Sequence, residues 1–437
     1  MQKFTFTLLF SLIFSTGFCQ TKTVLDTSDY KERNFFIENF KKSSAVFIKD
    51  VKEKNSGKVA KILSVNYKDF ETEFVKEIKD KNFTFKSGLE DYIQDIISDL
   101  RKNNTSIPDK FDVLIEKSNY PNAYCLANNT FVVNMGLFNW VENRDQMMAI
   151  ISHELGHNLL HHVLNGQIAS ITENLNESKV VKSLKEQKNN RTTKAFDLLK
   201  SKVYAQKTLK RNHEMEADSL GYVLFNNTSK NKFEYVNALK NLLEFDTISP
   251  VKISKEIYVK LFDLPSQKFN EKWFQAEDFT SYNYDGFKQK LDKDSIATHP
   301  ETIERIAKLK TSFAELMEDK KPLLADELYQ KKQDLSKIEI LPNYFSAEKY
   351  GLGIYAAMQF LQESKNENTK NHAFYKEWLG KCFTQIYEGR KSYKLNRYLD
   401  SVDPKNQDES YQLFLNFMWN LKLEELKVIA DFYTGTV

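Results

Sequence analysis

The chain has 437 residues, 28% of them charged, and a formal net charge of +3 at neutral pH. This length allows two or three domains with substantial cores. The near-neutral charge, without a basic run, gives no reason to expect a nucleic-acid partner. Beyond residue 19 the only cysteines are Cys125 and Cys382, so the chain is not a disulfide scaffold and has no CxxC-type metal site. Whether these two cysteines pair is left open.

Residues 1–19 have the pattern of a signal peptide. A single lysine precedes an apolar run from Phe4 to Phe18, and the small residues Gly17 and Cys19 stand at −3 and −1 of a cleavage before Gln20. The run is too short to span a bilayer. We therefore expect an exported protein, periplasmic or secreted, with no transmembrane segment after processing. Lipid attachment at Cys19 is the alternative, which the bulky residue before it disfavours.

The region up to about residue 104 is predicted to be mainly helical, with an N-terminal helical segment over 20–80. A clear apolar stripe follows, formed by Leu89, Tyr92, Ile93, Ile96 and Leu100. Three short apolar or alternating runs, 111–115, 123–126 and 130–134, then predict a small antiparallel sheet. This sheet is expected to lie beside the helix that comes next.

That helix carries the most informative motif of the chain. Asn143 with Gln146 indicates a helix start, and apolar positions keep helical spacing from there up to Gly166. Within it, His153, Glu154 and His157 form H-E-x-x-H, in which residues four apart share one helix face. Two imidazoles can then bind one zinc ion, which lowers the pKa of water toward about 7 and polarises a scissile carbonyl. The intervening glutamate would act as the general base.

Zinc needs a further protein ligand beyond the two histidines. Leu160 and Val163 exclude the metzincin continuation, which requires glycine and histidine there. A downstream helical stretch offers Glu214 and Asp218, four apart on one face, whereas Glu216 points about 200° away from Glu214. We predict Glu214 as the ligand and Asp218 as the acceptor that orients a ligand histidine. A solvated acidic helix face is the alternative, weakened by the nearby H-E-x-x-H.

These motifs resemble the zinc metallopeptidases that include HtpX and the CAAX prenyl protease. The resemblance covers roughly residues 80 to 310, and it rests on the H-E-L-G-H and E-x-E-A-D motifs together with Asn122-Ala123-Tyr124, Met135-Gly136-Leu137, His162, Arg211, Thr298-His299-Pro300 and Arg305-Ile306. It implies a gluzincin fold with Glu214 as third ligand and a substrate strand paired with the sheet edge above the helix. It also implies that His299 lies near the metal, either stabilising the oxyanion or capping the zinc at rest.

The sequence departs from the family pattern in two places. Ala127-Asn128-Asn129 replaces the usual Pro-Gly-Gly hairpin tip, a small change because asparagine tolerates the left-handed conformation. About 40 extra residues separate the E-x-E-A-D helix from Thr298, so the family pattern does not define the rim of the cleft here. The metallopeptidase domain is predicted over residues 81–315. The fold class is predicted as α+β, mostly α.

Two further segments could border the cleft. Residues 166–210 are polar, with an Asn189-Asn190 joint, and are either a lid or a plain surface connection. The aromatic stretch from Phe262 to Tyr284 is expected mainly to pack, although some of its rings could line a substrate groove.

A connector from Asp334 to Asn343, containing Pro342, leads into a C-terminal helical region predicted over 340–437. Its helices are predicted at 346–363, 372–388, 407–421 and 423–433. Trp378-Leu379-Gly380 weakly resembles part of a TPR signature, and a TPR-like module would suggest a protein partner for this region. The alternative is a helical cap packed on the peptidase.

The sequence therefore predicts a zinc metalloendopeptidase with one Zn²⁺ per chain, acting on proteins or peptides in the cell envelope. Protein quality control is the role that the resemblance suggests. Two other functions fit the same residues: a chaperone-like or scaffold protein whose metal site is capped, and a zinc hydrolase of a non-peptide amide. The intact Glu154 argues against an inactive relative, since loss of the base is the simplest route to inactivity.

Overall fold

The computed structural model describes residue 25 and residues 28–185, 210–247, 251–276, 299–364, 369–403 and 407–435. The predicted signal peptide with Cys19, the Asn189-Asn190 joint and the aromatic residues beyond 276 lie outside this part. Within it, no helix combines the length and the apolar character needed to cross a membrane.

Two long helices open the described chain, α1 (Tyr30–Lys54) and α2 (Gly57–Lys79), and pack against each other. Their buried side chains include Phe40, Phe74 and Ile78, which form one core cluster with Leu114 and Val132 of the sheet. The N-terminal helical segment therefore covers one face of the sheet.

The sheet has four strands: β1 (Phe83–Thr84), β2 (Asp112–Glu116), β3 (Ala123–Cys125) and β4 (Thr130–Asn134). Their spatial order is β1-β2-β4-β3, with β2 and β4 parallel and the other two pairs antiparallel. The sheet is therefore mixed, and the prediction of an antiparallel sheet was wrong for the β2–β4 pair. The sequence analysis did not predict β1. The β3–β4 hairpin places β4 inward against β2, which makes that pair parallel and leaves β3 at the edge.

The other face of the sheet packs on helices α3 (Leu89–Lys102), α4 (Leu137–Trp140) and α5 (Arg144–Leu159). The predicted stripe from Leu89 to Leu100 is buried in this core. Further helices follow: α6 (His162–Lys185), α7 (residues 210–226), α8 (Phe233–Thr247), α9 (Lys255–Phe262) and α10 (His299–Ser312), with short 3-10 helices at Glu271–Phe274 and Ala314–Leu316.

The C-terminal region is helical: α11 (Glu327–Ser346), α12 (Tyr350–Glu363), α13 (Lys370–Lys391), a 3-10 turn (Leu395–Arg397), α14 (Glu409–Asn420) and α15 (Leu423–Thr434). The helices α12 to α15 lie close to their predicted positions. Together with residues 253–274 they enclose a second core, in which Phe262 and Trp273 pack as expected. The proposed TPR-like character and the domain boundaries remain predictions.

The predicted connector containing Pro342 is instead part of α11. Proline removes one backbone donor from a helix, which favours a break. Tertiary bonds hold this helix nonetheless: Asn119 donates to the carbonyl of Ile340 at 2.8 Å, and Ser336 donates to the carbonyl of Met135 at 2.6 Å.

Cys125 and Cys382 are both free and buried. Cys125 lies in the core between the sheet and helices α3 to α5, and Cys382 lies in the core of the C-terminal region.

Candidate metal centre and catalytic cleft

Helix α5 begins where the sequence predicts. The Oδ1 atom of Asn143 accepts from the backbone N–H of Gln146 at 3.0 Å, and Asn143 Nδ2 donates to the buried carboxylate of Glu234 at 3.0 Å. A cap of this kind stabilises a helix by about 1 kcal/mol. The cap is thus tied to α8, which packs along α5 and fixes the direction of the motif helix.

The structure brings His153, His157 and Glu214 together. The two Nε2 atoms are 3.1 Å apart, and each lies 3.6 Å from a carboxylate oxygen of Glu214. Ligands about 2.0–2.1 Å from a tetrahedral zinc ion are separated by about 3.3 Å, so these three donors fit one such ion. Within the described residues, this is one of two groups with metal-ligand character.

Glycines let helix α7 approach the motif helix closely. A Cβ atom on Gly156 would lie 2.7 Å from the carbonyl oxygen of Ala217. On Gly221 it would lie 2.8 Å from the Cα atom of His153 and 2.5 Å from the hydroxyl of Tyr235. Since backbone atoms cannot move aside cheaply, both positions require glycine for the observed separation. The glycine inside H-E-L-G-H therefore lets the helix that carries Glu214 come within reach of the motif histidines.

Asp218 is fully enclosed and contacts the first histidine of the motif. Its Oδ1 atom lies 2.9 Å from Nδ1 of His153, which leaves Nε2 of that ring to face the metal position. Burial alone would lower the pKa of His153, but the Asp218 carboxylate raises it to about 10. Binding of a metal ion at Nε2 would therefore release a proton from this ring.

Arg305 of α10 is a site residue to which the motif analysis assigned no role. It donates from Nε and Nη2 to Asp218 at 2.6 and 2.8 Å, and its Nη1 atom lies 3.1 Å from Glu214. Burial would raise the pKa of Glu214, but its hydrogen bond with His153 and the charge of Arg305 lower it to about 2. The only sequence signal for Arg305 was its place in the family pattern, which carries no geometry.

The motif helix ends earlier than its apolar spacing suggested. His161 adopts a left-handed conformation with φ 54°, and α6 starts at His162. A residue in this conformation commonly terminates a helix. The turn leaves Val163 exposed and brings the ring of His162 onto His157, with their Nδ1 atoms 3.0 Å apart.

Glu216 contacts His162 and neither histidine of the motif. It points away from Glu214, as predicted, and its carboxylate lies 3.0 Å from Nε2 of His162. The hydrogen bonds assign the tautomers: His162 donates from Nε2 to Glu216 and accepts at Nδ1 from His157. His157 then presents the lone pair of Nε2, and burial lowers its pKa to about 3, which favours the neutral ligand form.

His162 and Glu216 also form a second group with His213. The rings of His162 and His213 are stacked, with centroids 4.1 Å apart and planes inclined by 8°. A metal ligand must direct its lone pair within the ring plane, and lone pairs in two parallel stacked planes cannot converge on one ion. This arrangement favours hydrogen bonding and stacking over metal binding.

Glu154 lines a cleft of about 360 Å³ together with His153, His157 and Glu214. Burial raises the pKa of its carboxyl to about 7, opposed by the charge of His153. A carboxylate that titrates near neutrality is suited to accept and return a proton. Tyr235 also lines the cleft, and its hydroxyl donates to the backbone carbonyl of Asp218 at 3.1 Å.

Strand β3 forms one rim of the cleft. Asn122 and Leu126, which flank the strand, make backbone bonds to the β4 side of the hairpin. In an antiparallel pair the N–H and C=O groups of Ala123 and Cys125 therefore face away from the sheet. An outward-facing strand edge can pair with an extended peptide.

The position of His299 is defined only for its backbone, as the first residue of α10. Its side chain lies outside the described part. The predicted role of His299 at the metal therefore stays a prediction.

Three features define this site as a metallopeptidase cleft: the paired histidines of the motif helix, a carboxylate from a second helix, and an open strand edge. Residues 88–312, slightly more than half of the chain, match the model of peptidase family M48. The chain belongs to this family, and it is therefore a metallopeptidase of a zinc-dependent group. A comparison with curated protein sequences gave no match.

The close helix contact yields a first prediction. Gly221→Ala should push α7 away from α5, lower stability by about 1–3 kcal/mol and weaken metal binding, because the added Cβ meets backbone atoms of His153. Gly166→Ala is the control: it lies in α6 with nothing within 4 Å of its Cβ position, and should stabilise by about 0.5–1 kcal/mol. Denaturant unfolding and zinc titration measure both. Equal behaviour of the two variants would contradict the account.

Proposed function

We propose that this protein is a zinc-dependent endopeptidase that hydrolyses peptide bonds in exported or envelope proteins. The observation that carries the proposal is the convergence of His153, His157 and Glu214 beside Glu154, at the open edge of β3. We assign the first three as ligands of one zinc ion and Glu154 as the catalytic residue. A role in protein quality control is part of the proposal and rests on the family resemblance.

In this proposal a bound zinc ion supplies Lewis acidity, which activates water and polarises the carbonyl. Glu154 takes a proton from the attacking water and passes it to the leaving nitrogen. The outward-facing backbone of Ala123 and Cys125 holds the substrate in an extended form across the cleft.

Asp218 and Arg305 hold the ligands rather than the substrate. Asp218 fixes the His153 ring through Nδ1, and Arg305 holds both Asp218 and Glu214 by charge-assisted bonds. The Arg305–Asp218 pair is buried, so removal of one partner leaves an uncompensated charge and costs about 3–5 kcal/mol. His162 with Glu216 holds His157 in the same manner from the other side.

The purified mature chain, incubated with casein as an unfolded substrate, tests the function. We expect internal cleavage that a chelator abolishes and that added zinc restores. Zinc binding without cleavage of casein or peptides would favour a chaperone-like protein with a capped site. Cleavage of a small non-peptide amide alone would indicate the other hydrolase.

His299→Ala tests the proposed place of this residue near the metal. If His299 donates to the oxyanion, kcat should fall by roughly 100-fold. If it caps the zinc at rest, activity should rise. An unchanged rate would exclude both roles.

Export of the protein is proposed from the apolar segment that precedes Gln20. Intact-mass analysis of protein from the native cell envelope should give a chain that starts at Gln20 and carries no lipid. A diacylglyceryl adduct on Cys19 would instead place the enzyme on a membrane surface.

A further inference from the structure

A second cavity adjoins the catalytic cleft on the opposite face of the sheet edge. It has a volume of about 550 Å³ and shares with the cleft the residues 122–125 and Val163. Its outer wall is made by α1 and α2, with Phe40, Phe47, Tyr67 and Phe70. These four residues precede the region matched by the family model. The wall thus lies outside the matched region.

The wall is fixed to the hairpin that carries β3. Asn128 donates from Nδ2 to the hydroxyls of Ser43 and Ser44 of α1 at 3.3 and 3.4 Å. Phe47 and Tyr67 pack edge to face with ring centroids 4.9 Å apart. The cavity is therefore a built part of the structure beside the strand edge.

Strand geometry connects the cavity with the cleft. Side chains of a strand alternate between the two faces of a sheet. In β3, Ala123 and Cys125 point into the core beneath α5, whereas Tyr124 packs with the cluster beneath α1 and α2. A peptide paired with β3 continues this alternation, so every second side chain faces the metal side and the others face the cavity.

Two buried polar atoms of residues that line the cavity lack a partner among the described residues. The hydroxyl of Tyr67 and the Oε1 atom of Gln167 are buried without a hydrogen bond, although both side chains line the cavity. Burial raises the pKa of Tyr67 to about 12, so its hydroxyl keeps the proton that it can donate. A buried polar atom without a hydrogen-bond partner lowers the stability of the fold. The hydroxyl of Tyr67 can donate and Oε1 of Gln167 can accept, which matches the carbonyl and the N–H of a peptide backbone.

We propose that this cavity is a specificity site that binds a large apolar side chain, aromatic or branched, of an extended peptide paired with β3. The apolar wall would enclose the side chain, and Tyr67 with Gln167 would bond the adjoining backbone. The inference rests on the proposed endopeptidase function and names the substrate class: segments with a bulky apolar residue near the cleaved bond, such as unfolded proteins expose.

Asn66 and Val65 provide a matched test, because both are exposed on α2 and only Asn66 lines the cavity. Mass spectrometry of peptides released from unfolded casein by wild-type enzyme should show a bulky apolar preference at one position near the cleaved bond. Two synthetic peptides then carry phenylalanine or alanine at that position. We expect Asn66→Trp to lower the phenylalanine-to-alanine ratio of kcat/KM by about 10-fold, and Val65→Trp to preserve it.

Tyr67→Phe provides a second test that keeps the wall and removes the hydroxyl. It should lower the kcat/KM of the phenylalanine peptide, by about 3- to 10-fold, with the zinc content of wild type. The inference is overturned if the wild type shows no preference, if the ratio survives Asn66→Trp, or if both tryptophan variants lower it equally. These results leave the peptidase function standing. A zinc-loaded wild type that cleaves no peptide overturns both proposals.

Discussion

Glu154→Gln should abolish peptide hydrolysis and leave the bound zinc in place. Glutamine keeps the shape of the side chain but cannot accept a proton, and positioned general bases contribute about 100- to 10,000-fold to rates. Glu154 adjoins His153 in sequence, but its carboxylate is not among the three converging donors. We therefore expect kcat to fall by at least about 100-fold at an unchanged zinc-to-protein ratio.

The measurement pairs peptide hydrolysis with elemental analysis of the same preparation. Residual activity above about a tenth of wild type would remove Glu154 from the role of general base. Loss of zinc together with activity would indicate that Glu154 is itself a ligand.

Glu214→Gln should nearly empty the metal site, whereas Glu216→Gln should retain most of the zinc. The two residues stand on one helix, and only Glu214 lies within 3.6 Å of both motif histidines. Glu216 contacts His162 instead, and its side chain is 60% exposed, so water can replace it. We expect a loss of affinity above about 100-fold for Glu214→Gln and below about 10-fold for Glu216→Gln.

Asp218→Asn ranks between these two variants. The substitution removes the negative charge that holds the His153 ring and Arg305, but it removes no metal donor, and changes of this kind typically weaken affinity by about 10- to 100-fold. Zinc competition with a chromophoric chelator gives all three affinities, and thermal unfolding of the metal-free proteins controls for damage to the fold. A zinc-free Glu216→Gln beside a zinc-loaded Glu214→Gln would reverse the ligand assignment.

The parts of the site that lie within one helix could be predicted from the sequence. His153 and His157 share a face because of their spacing, and helical phase separates Glu214 from Glu216. Asp218 followed from the same phase. Local periodicity contains this information because the neighbours in space are also neighbours along the chain.

Features that depend on distant contacts could not be predicted in this way. Arg305 reaches Asp218 from a helix 87 positions later in the chain. The parallel pairing of β2 with β4 depends on strand order, which alternation does not encode. Pro342 stays helical because Asn119 and Ser336 bond across elements. The wall of the second cavity likewise forms only when α1 and α2 fold over the sheet edge.

Crystals of the zinc-loaded protein, measured on both sides of the zinc absorption edge, test the central claim most directly. The account predicts one strong anomalous peak within about 2.0–2.2 Å of Nε2 of His153, Nε2 of His157 and a carboxylate oxygen of Glu214. A peak between His162, His213 and Glu216 instead, or no peak beside the motif histidines, would contradict it.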